Sequence, residues 1–155
     1  MNMGEQWRLE TVGVVDCFEW HAPTAAWANV VSPGYALIQG DKRLLHFAPQ
    51  YVLTINQGAV VPPVAAAAEA IGIDVTGKWH GYRLHGSSSS AVLAAGVPSG
   101  TVLSGRDCAA LSLFDCPVVL LRTLDSSEVW VPASYAESLG SALNKTAQRA
   151  RPVSQ

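Results

Sequence analysis

Apolar positions along the chain alternate at a period of two in some stretches and recur every three or four residues in others. The first pattern marks strands and the second marks helices. Residues 12–20 are apolar and β-branched and predict a first strand. Residues 23–31 predict a short helix, ended by Pro33-Gly34. Three short runs follow at 35–38, 43–47 and 51–55, separated by Gly40-Asp41 and by Pro49. Their close spacing predicts an antiparallel meander. Val61, Val64, Ala65, Ala68 and Ile71 then form one apolar stripe, which predicts a helix over residues 60–71. Pro62 and Pro63 fall in its first turn, where a missing amide hydrogen costs little, and Gly72 stands where a C-cap belongs.

The second half has a similar order. Residues 78–85 predict a strand, and residues 86–90 a serine-rich turn leading into a short helix that ends at Ala95-Gly96. Strands are predicted at 108–114, 118–122 and 129–131, the first two separated by Asp115, Cys116 and Pro117. Ser134 and Glu137 form the S-x-x-E pattern of a capping box at the start of a last helix, whose buried stripe is Ala136, Leu139 and Leu143. Each half runs strand, short helix, several strands, then helix, and the pair Trp20-His21 recurs as Trp79-His80. The expectation is two related half-units sharing one core. Residues 1–10 are expected as an N-terminal arm, 11–147 as a single α+β domain and 148–155 as a tail.

Composition adds an expectation about surface. Hydrophobic residues make up 49% and charged residues 14%, against about 25% charged in a typical soluble domain. So few solvating side chains leave apolar surface exposed, which marks a partner interface. Trp20, Trp27, Trp79, Trp130 and Tyr82 are the candidates for that interface, because large aromatics bury much area at little entropic cost. Each taken singly is expected in the core; as a set, at least one is expected at an interface. The net charge of −2 offers no electrostatic footprint for nucleic acid. No apolar run reaches the roughly 20 residues that span a bilayer, and the first ten residues lack the pattern of a secretory leader. The odd set Cys17, Cys108 and Cys116 argues against a disulfide framework and fits a reducing cytoplasm.

Candidate chemistry is sparse. His80 and His85 flank Tyr82 on one predicted strand, and alternation puts them on opposite faces, so they cannot share a metal ion there. Cys108 and Cys116 lack Cys-x-x-Cys spacing, and no activating base is evident for either, so buried structural thiols are expected. The serines at 87–90 lack the lysine of a phosphate loop and the spaced glycines of a dinucleotide fingerprint. They read instead as a turn with redundant helix caps.

Four segments, in order, carry a family likeness. They are LLHFAPQYVL at 44–53, Asp74-Val75, YRLHGSSSSAVLAAG at 82–96, and the closing stretch 118–143 with Arg122 and Ser134-Tyr135-Ala136. Over these the chain resembles the gamma subunit of heterotetrameric sarcosine oxidase, a family related to the folate-binding domain of glycine cleavage aminomethyltransferase. Ala48 stands where the family pattern has glycine. The resemblance implies an α+β fold: a two-layer domain of intertwined ferredoxin-like repeats, aminomethyltransferase folate-binding-domain-like. It implies a structural, non-catalytic chain. The implied partners are a large folate-domain-containing subunit and an FAD-binding oxidase subunit, in a complex that oxidises secondary or N-methyl amines such as sarcosine. Flavin (FAD, FMN), NAD and tetrahydrofolate would then belong to those partners and none to this chain. The transferase relatives place an acidic residue soon after the short helix, but here the stretch from Gly96 to Thr101 holds no carboxylate. An anionic group is needed near the reacting nitrogen of folate, and Ser99 cannot supply it. The alternative is a free-standing folate- or small-molecule-binding enzyme of the aminomethyltransferase or demethylase type.

Overall fold

The computed structural model describes residues 7–21, 31–58, 70–98, 107–123 and 126–150. Ten strands and two α-helices lie among them: β1 (Arg8–Val12), β2 (Cys17–His21), β3 (Tyr35–Gln39), β4 (Lys42–Ala48), β5 (Tyr51–Ile55), β6 (Ile71–Asp74), β7 (Trp79–His85), α1 (Ser89–Gly96), β8 (Cys108–Leu113), β9 (Cys116–Arg122), β10 (Ser127–Pro132) and α2 (Ala136–Arg149). The helices predicted at 23–31 and 60–71, with Trp27, lie almost wholly outside the described residues, as does the end of the stretch from Gly96 to Thr101.

The strands form two five-stranded antiparallel sheets. Sheet I has the order β1-β7-β10-β9-β8 and sheet II the order β3-β4-β5-β2-β6. The two orders superimpose: β8, β9, β10, β7 and β1 stand where β3, β4, β5, β2 and β6 stand. The strand orders of the two halves therefore match, and each half sends its leading strand to the other's sheet. The Trp-His pair is not an equivalent of itself, however. It closes β2 but opens β7, the matching strand.

Strand alternation gives sheet I two buried faces. Val118 and Leu120 of β9 and Val129 and Val131 of β10 pack with Leu139, Leu143 and Ala147 of α2 and with Val92 and Leu93 of α1. Val119, Leu121 and Trp130 point the other way, onto Cys17, Leu45, Leu53 and Ile55 of sheet II. The described layers thus run helices, sheet I, sheet II, rather than the two layers expected. Each such aliphatic side chain taken out of water contributes about 1.5–3 kcal/mol, so the doubly covered β9 and β10 anchor the fold.

Several local expectations change. The apolar run at 12–20 breaks between Val12 and Cys17, and its two parts join different sheets, with β1 taking in Arg8–Glu10 of the expected arm. Asn56 fills the gap: its side chain accepts from Val15 N at 2.7 Å and donates to Gly13 O at 3.1 Å. Gly72 is no helix cap but the second residue of β6, opposite Trp20. A Cβ there would sit 2.5 Å from the Trp20 ring, so the glycine makes room for the indole. β9 begins two residues early, because the hairpin turn consists of Phe114 and Asp115 at φ 48° and 62°. Positive φ at both central positions is what a tight two-residue hairpin requires. Pro117 is tolerated because β10 pairs with β9 only from Val119 onward.

The predicted capping box does not form. Ser134 is exposed in a single 3-10 turn, Ala133–Tyr135, and α2 starts after it with no side-chain cap bond. Tyr82 steadies this helix instead, donating its hydroxyl to Ala136 O at 2.8 Å while Gly140 passes close over its ring.

Gly81 makes room for its cross-strand neighbour in sheet I: a Cβ there would meet the Trp130 ring at 2.6 Å. Gly81→Ala is expected to lower the unfolding free energy by about 1–3 kcal/mol, the usual cost of overpacking. Gly13→Ala, whose Cβ meets nothing within 4 Å, is expected to change it by less than about 0.5 kcal/mol. Urea titration of both variants checks the contrast.

Candidate functional site

The densest group of charged side chains crosses between the two sheets. Arg43 on β4 grips Glu128 on β10 with two bonds, Nε to Oε1 at 3.1 Å and Nη2 to Oε2 at 2.8 Å. Both side chains are enclosed, at 4% and 1% exposed. Arg83 on β7 adds Nη2 to Oε2 at 3.0 Å, and Trp130 Nε1 donates to Oε1 at 3.3 Å. Arg43 spends its remaining nitrogen on Gly40 O and Lys42 O. The polar network then climbs to the surface through Arg83, 3.9 Å from Glu10, and His85, whose Nε2 lies 2.8 Å from the same carboxylate.

Burial by itself pushes the Glu128 carboxyl up, but the bonds and charge of Arg43 and Arg83 outweigh it and hold it below the ordinary range. A carboxylate saturated with donors has no free lone pair for a general base. The network clamps the sheets together and offers no reactive group. Sequence reasoning passed over it because Arg43 and Glu128 look like ordinary strand charges. The signal was register: Glu128 alternates with Trp130 onto one face, which makes it an inward-pointing charge.

The aromatic candidates divide. Trp130 is 0% exposed and Trp20 is 7% exposed, so both belong to the core rather than to an interface. Trp20 Nε1 donates to Thr54 at 3.2 Å beneath the glycine of β6. Tyr82 is committed to α2. Trp79 is half-buried, with Nε1 on Glu19 at 2.8 Å and Lys78 over its ring.

Exposed apolar surface lies elsewhere, at an edge of sheet II. Ile71 and Ile73 of β6 are 62% and 47% exposed, and Tyr51 of β5 is 43% exposed. Register places Ile71 opposite His21 and His21 opposite Tyr51, so the three share one face. His21 meets Tyr51 edge-on at 4.6 Å, and Phe47 stacks on Tyr51 at 6.3 Å. The sequence hid this strip because Ile71 completes a helical stripe.

His80 and His85 do face opposite sides of β7. His85 pairs with Glu10, whereas His80 packs edge-on against Tyr82, with Nε2 enclosed and unbonded among the described residues. Burial lowers the His80 pKa, because it disfavours the charged ring. All three cysteines are free and buried. Burial, with Glu19 and Asp16 nearby, pushes the Cys17 thiol up to about 12, and burial with Asp107 does the same to Cys108. A nucleophilic cysteine requires the opposite shift.

The two-sheet architecture is shared with known enzymes. No protein-family model matches the chain. No curated protein matches it either. The fold is that of an aminomethyltransferase-like α+β domain. The crystal structure of glycine cleavage system aminomethyltransferase T from Bartonella henselae superposes on 88% of this chain with a TM-score of 0.59 and 18% identity. This chain spans only 45% of that one. A chain of heterotetrameric sarcosine oxidase from Corynebacterium sp. U-96, solved in complex with pyrrole 2-carboxylate, superposes with a TM-score of 0.76 and 20% identity. That match takes in 96% of this chain and 88% of the other. The resemblance read from the sequence holds at the level of fold.

Proposed function

We propose that this chain is a gamma-like, non-catalytic structural subunit of a hetero-oligomeric, flavin-dependent amine oxidase or dehydrogenase acting on a secondary or N-methyl amine such as sarcosine. The observation that carries this reading is mutual coverage. The fold matches nearly the whole of a sarcosine oxidase chain that works inside a heterotetramer, but under half of the aminomethyltransferase. The charge inventory supports it, because the buried carboxylate is consumed in clamping two sheets and the thiols are held protonated. The ordered family likeness of the segments at 44–53 and 82–96 supports the ferredoxin-like description of the half-units. On this reading the chemistry belongs to a large folate-domain-containing partner and an FAD-binding oxidase partner. Those partners, not this chain, would hold flavin, NAD and tetrahydrofolate and supply the oxidation chemistry, in an assembly placed in the cytoplasm. This chain supplies surface, including the strip of Ile71, Ile73 and Tyr51.

The test is an untagged pull-down from the native host. The expected result is co-purification with larger proteins and a flavin absorption spectrum, whereas the isolated chain is colourless and does not turn over amines. Ile71→Asp should loosen that assembly by about 2 kcal/mol, as loss of a hot-spot contact does, without changing the melting temperature of the free chain. A free chain that turns over a folate or an amine by itself overturns the proposal.

A further inference from the structure

We propose that a cleft at the start of α1 binds a small organic anion through a carboxylate or phosphate group. This site is independent of the assembly proposed above. The cleft has a volume of about 310 Å³, within the size range of small-molecule sites. Register explains how it is built. Arg122 of β9 lies opposite Ser127 of β10, and Ser127 lies opposite Leu84 of β7. The three therefore stand side by side at one end of sheet I, on the face that carries the helices. Leu84 and Leu93 supply an apolar floor, and Ser89 and Ser90 of α1 supply the opposite wall.

Among the described lining residues Arg122 is the one charged side chain; Asp125, between Thr123 and Ser126, lies outside the described residues. Asp107 neighbours Arg122 across the β8–β9 ladder, through a main-chain bond of 2.7 Å. Even so, among the described residues Arg122 makes no ion pair and its side chain makes no hydrogen bond. A planar guanidinium left with its donors free beside a cavity is suited to a carboxylate or phosphate, which it can bind with two parallel bonds.

The hydroxyls fall into two groups. Those of Ser89 and Thr123 are spent on closing their own turns, on Gly86 O at 2.8 Å and Ser126 O at 2.8 Å. Those of Ser90 and Ser127 have no partner among the described residues and remain available as donors. The first turn of α1 adds to the positive side, since Ser88 makes no side-chain cap bond and no acidic residue follows it. The serines read from sequence as redundant caps are thus not caps, and two of them line a cavity beside an arginine.

The test is a titration of the full-length, ¹⁵N-labelled chain followed by NMR, with inorganic phosphate in one arm and acetate in the other. Sodium chloride at matched ionic strength is the reference. Saturable shifts are expected in the Ser89, Ser90 and Ala91 amides and in the Arg122 side chain. Comparing the arms assigns the preference to phosphate or to carboxylate. Arg122→Gln should weaken the affinity by at least about tenfold, the weight of a charged hydrogen bond. Ser90→Asp should also abolish binding by placing a carboxylate in the site, while keeping or raising the melting temperature because it complements the helix end. Absence of saturable shifts in both arms, or an affinity left unchanged in either variant, overturns the proposal.

Discussion

Glu128→Gln is expected to lower the unfolding free energy by about 3–5 kcal/mol, because it leaves the Arg43 guanidinium enclosed without its counter-charge. The effect is large because Arg43 is only 4% exposed and cannot swing into water. Arg83, at 27% exposed, can rehydrate. The pH dependence follows from the same geometry. The folded Glu128 carboxyl lies below its ordinary value of 4.5. Its contribution is therefore fully present above that value and is lost as the pH falls through the folded pKa. The wild-type chain should lose stability steeply on the acid side, and the Gln variant should lack that part of the slope. Chemical denaturation at several pH values measures both. A loss under about 1 kcal/mol with an unchanged acid limb would mean that the clamp is dispensable.

Trp130→Ala should cost a similar amount, about 3–5 kcal/mol, through the cavity left by a large enclosed ring. The ring sits between Gly81 and the side chains of Val119, Leu121 and Leu45, and none of it reaches solvent. The decisive comparison combines it with Gly81. Gly81→Ala is harmful when the indole is present and should cost almost nothing in the Trp130→Ala background, since the clashing ring is gone. Residues in direct contact show this kind of non-additivity. If Trp130→Ala left the free chain stable but weakened association with partner proteins, the residue would be an interface anchor after all.

What could be read from residues alone depended on whether a neighbouring strand changed the local meaning. β3, β4 and β5 were legible because alternation and the turns at Gly40-Asp41 and Pro49 point the same way. The stripe of Leu139 and Leu143 was legible because one helix face meets one sheet. β6 was not, because Ile71 completes a helical period and Gly72 imitates a helix end. Only the Trp20 ring, arriving from β2, gives that glycine its purpose. The break after Val12 was hidden inside a continuous apolar run, since both parts are buried, though in different sheets. The serines at 87–90 and Ser134 satisfied a capping pattern whose geometry the backbone does not adopt. The Arg43–Glu128 pair spans 85 positions, and no local window contains both partners.

The exchanged leading strands bear on how the chain comes into being. β1 is synthesised before the other described strands, yet its hydrogen-bonding partner β7 is made only after all of β2 to β6. Between them the whole meander of sheet II is synthesised, and that sheet in turn lacks its edge until β6 follows. Neither half can therefore finish as an autonomous folding unit during translation, and cooperative closure waits for both. Pairings this distant along the chain are slow to form, since loop closure precedes any reward from contact. Two separately expressed fragments cut at Gly58 would each carry the other's missing edge, and should regain structure only when mixed.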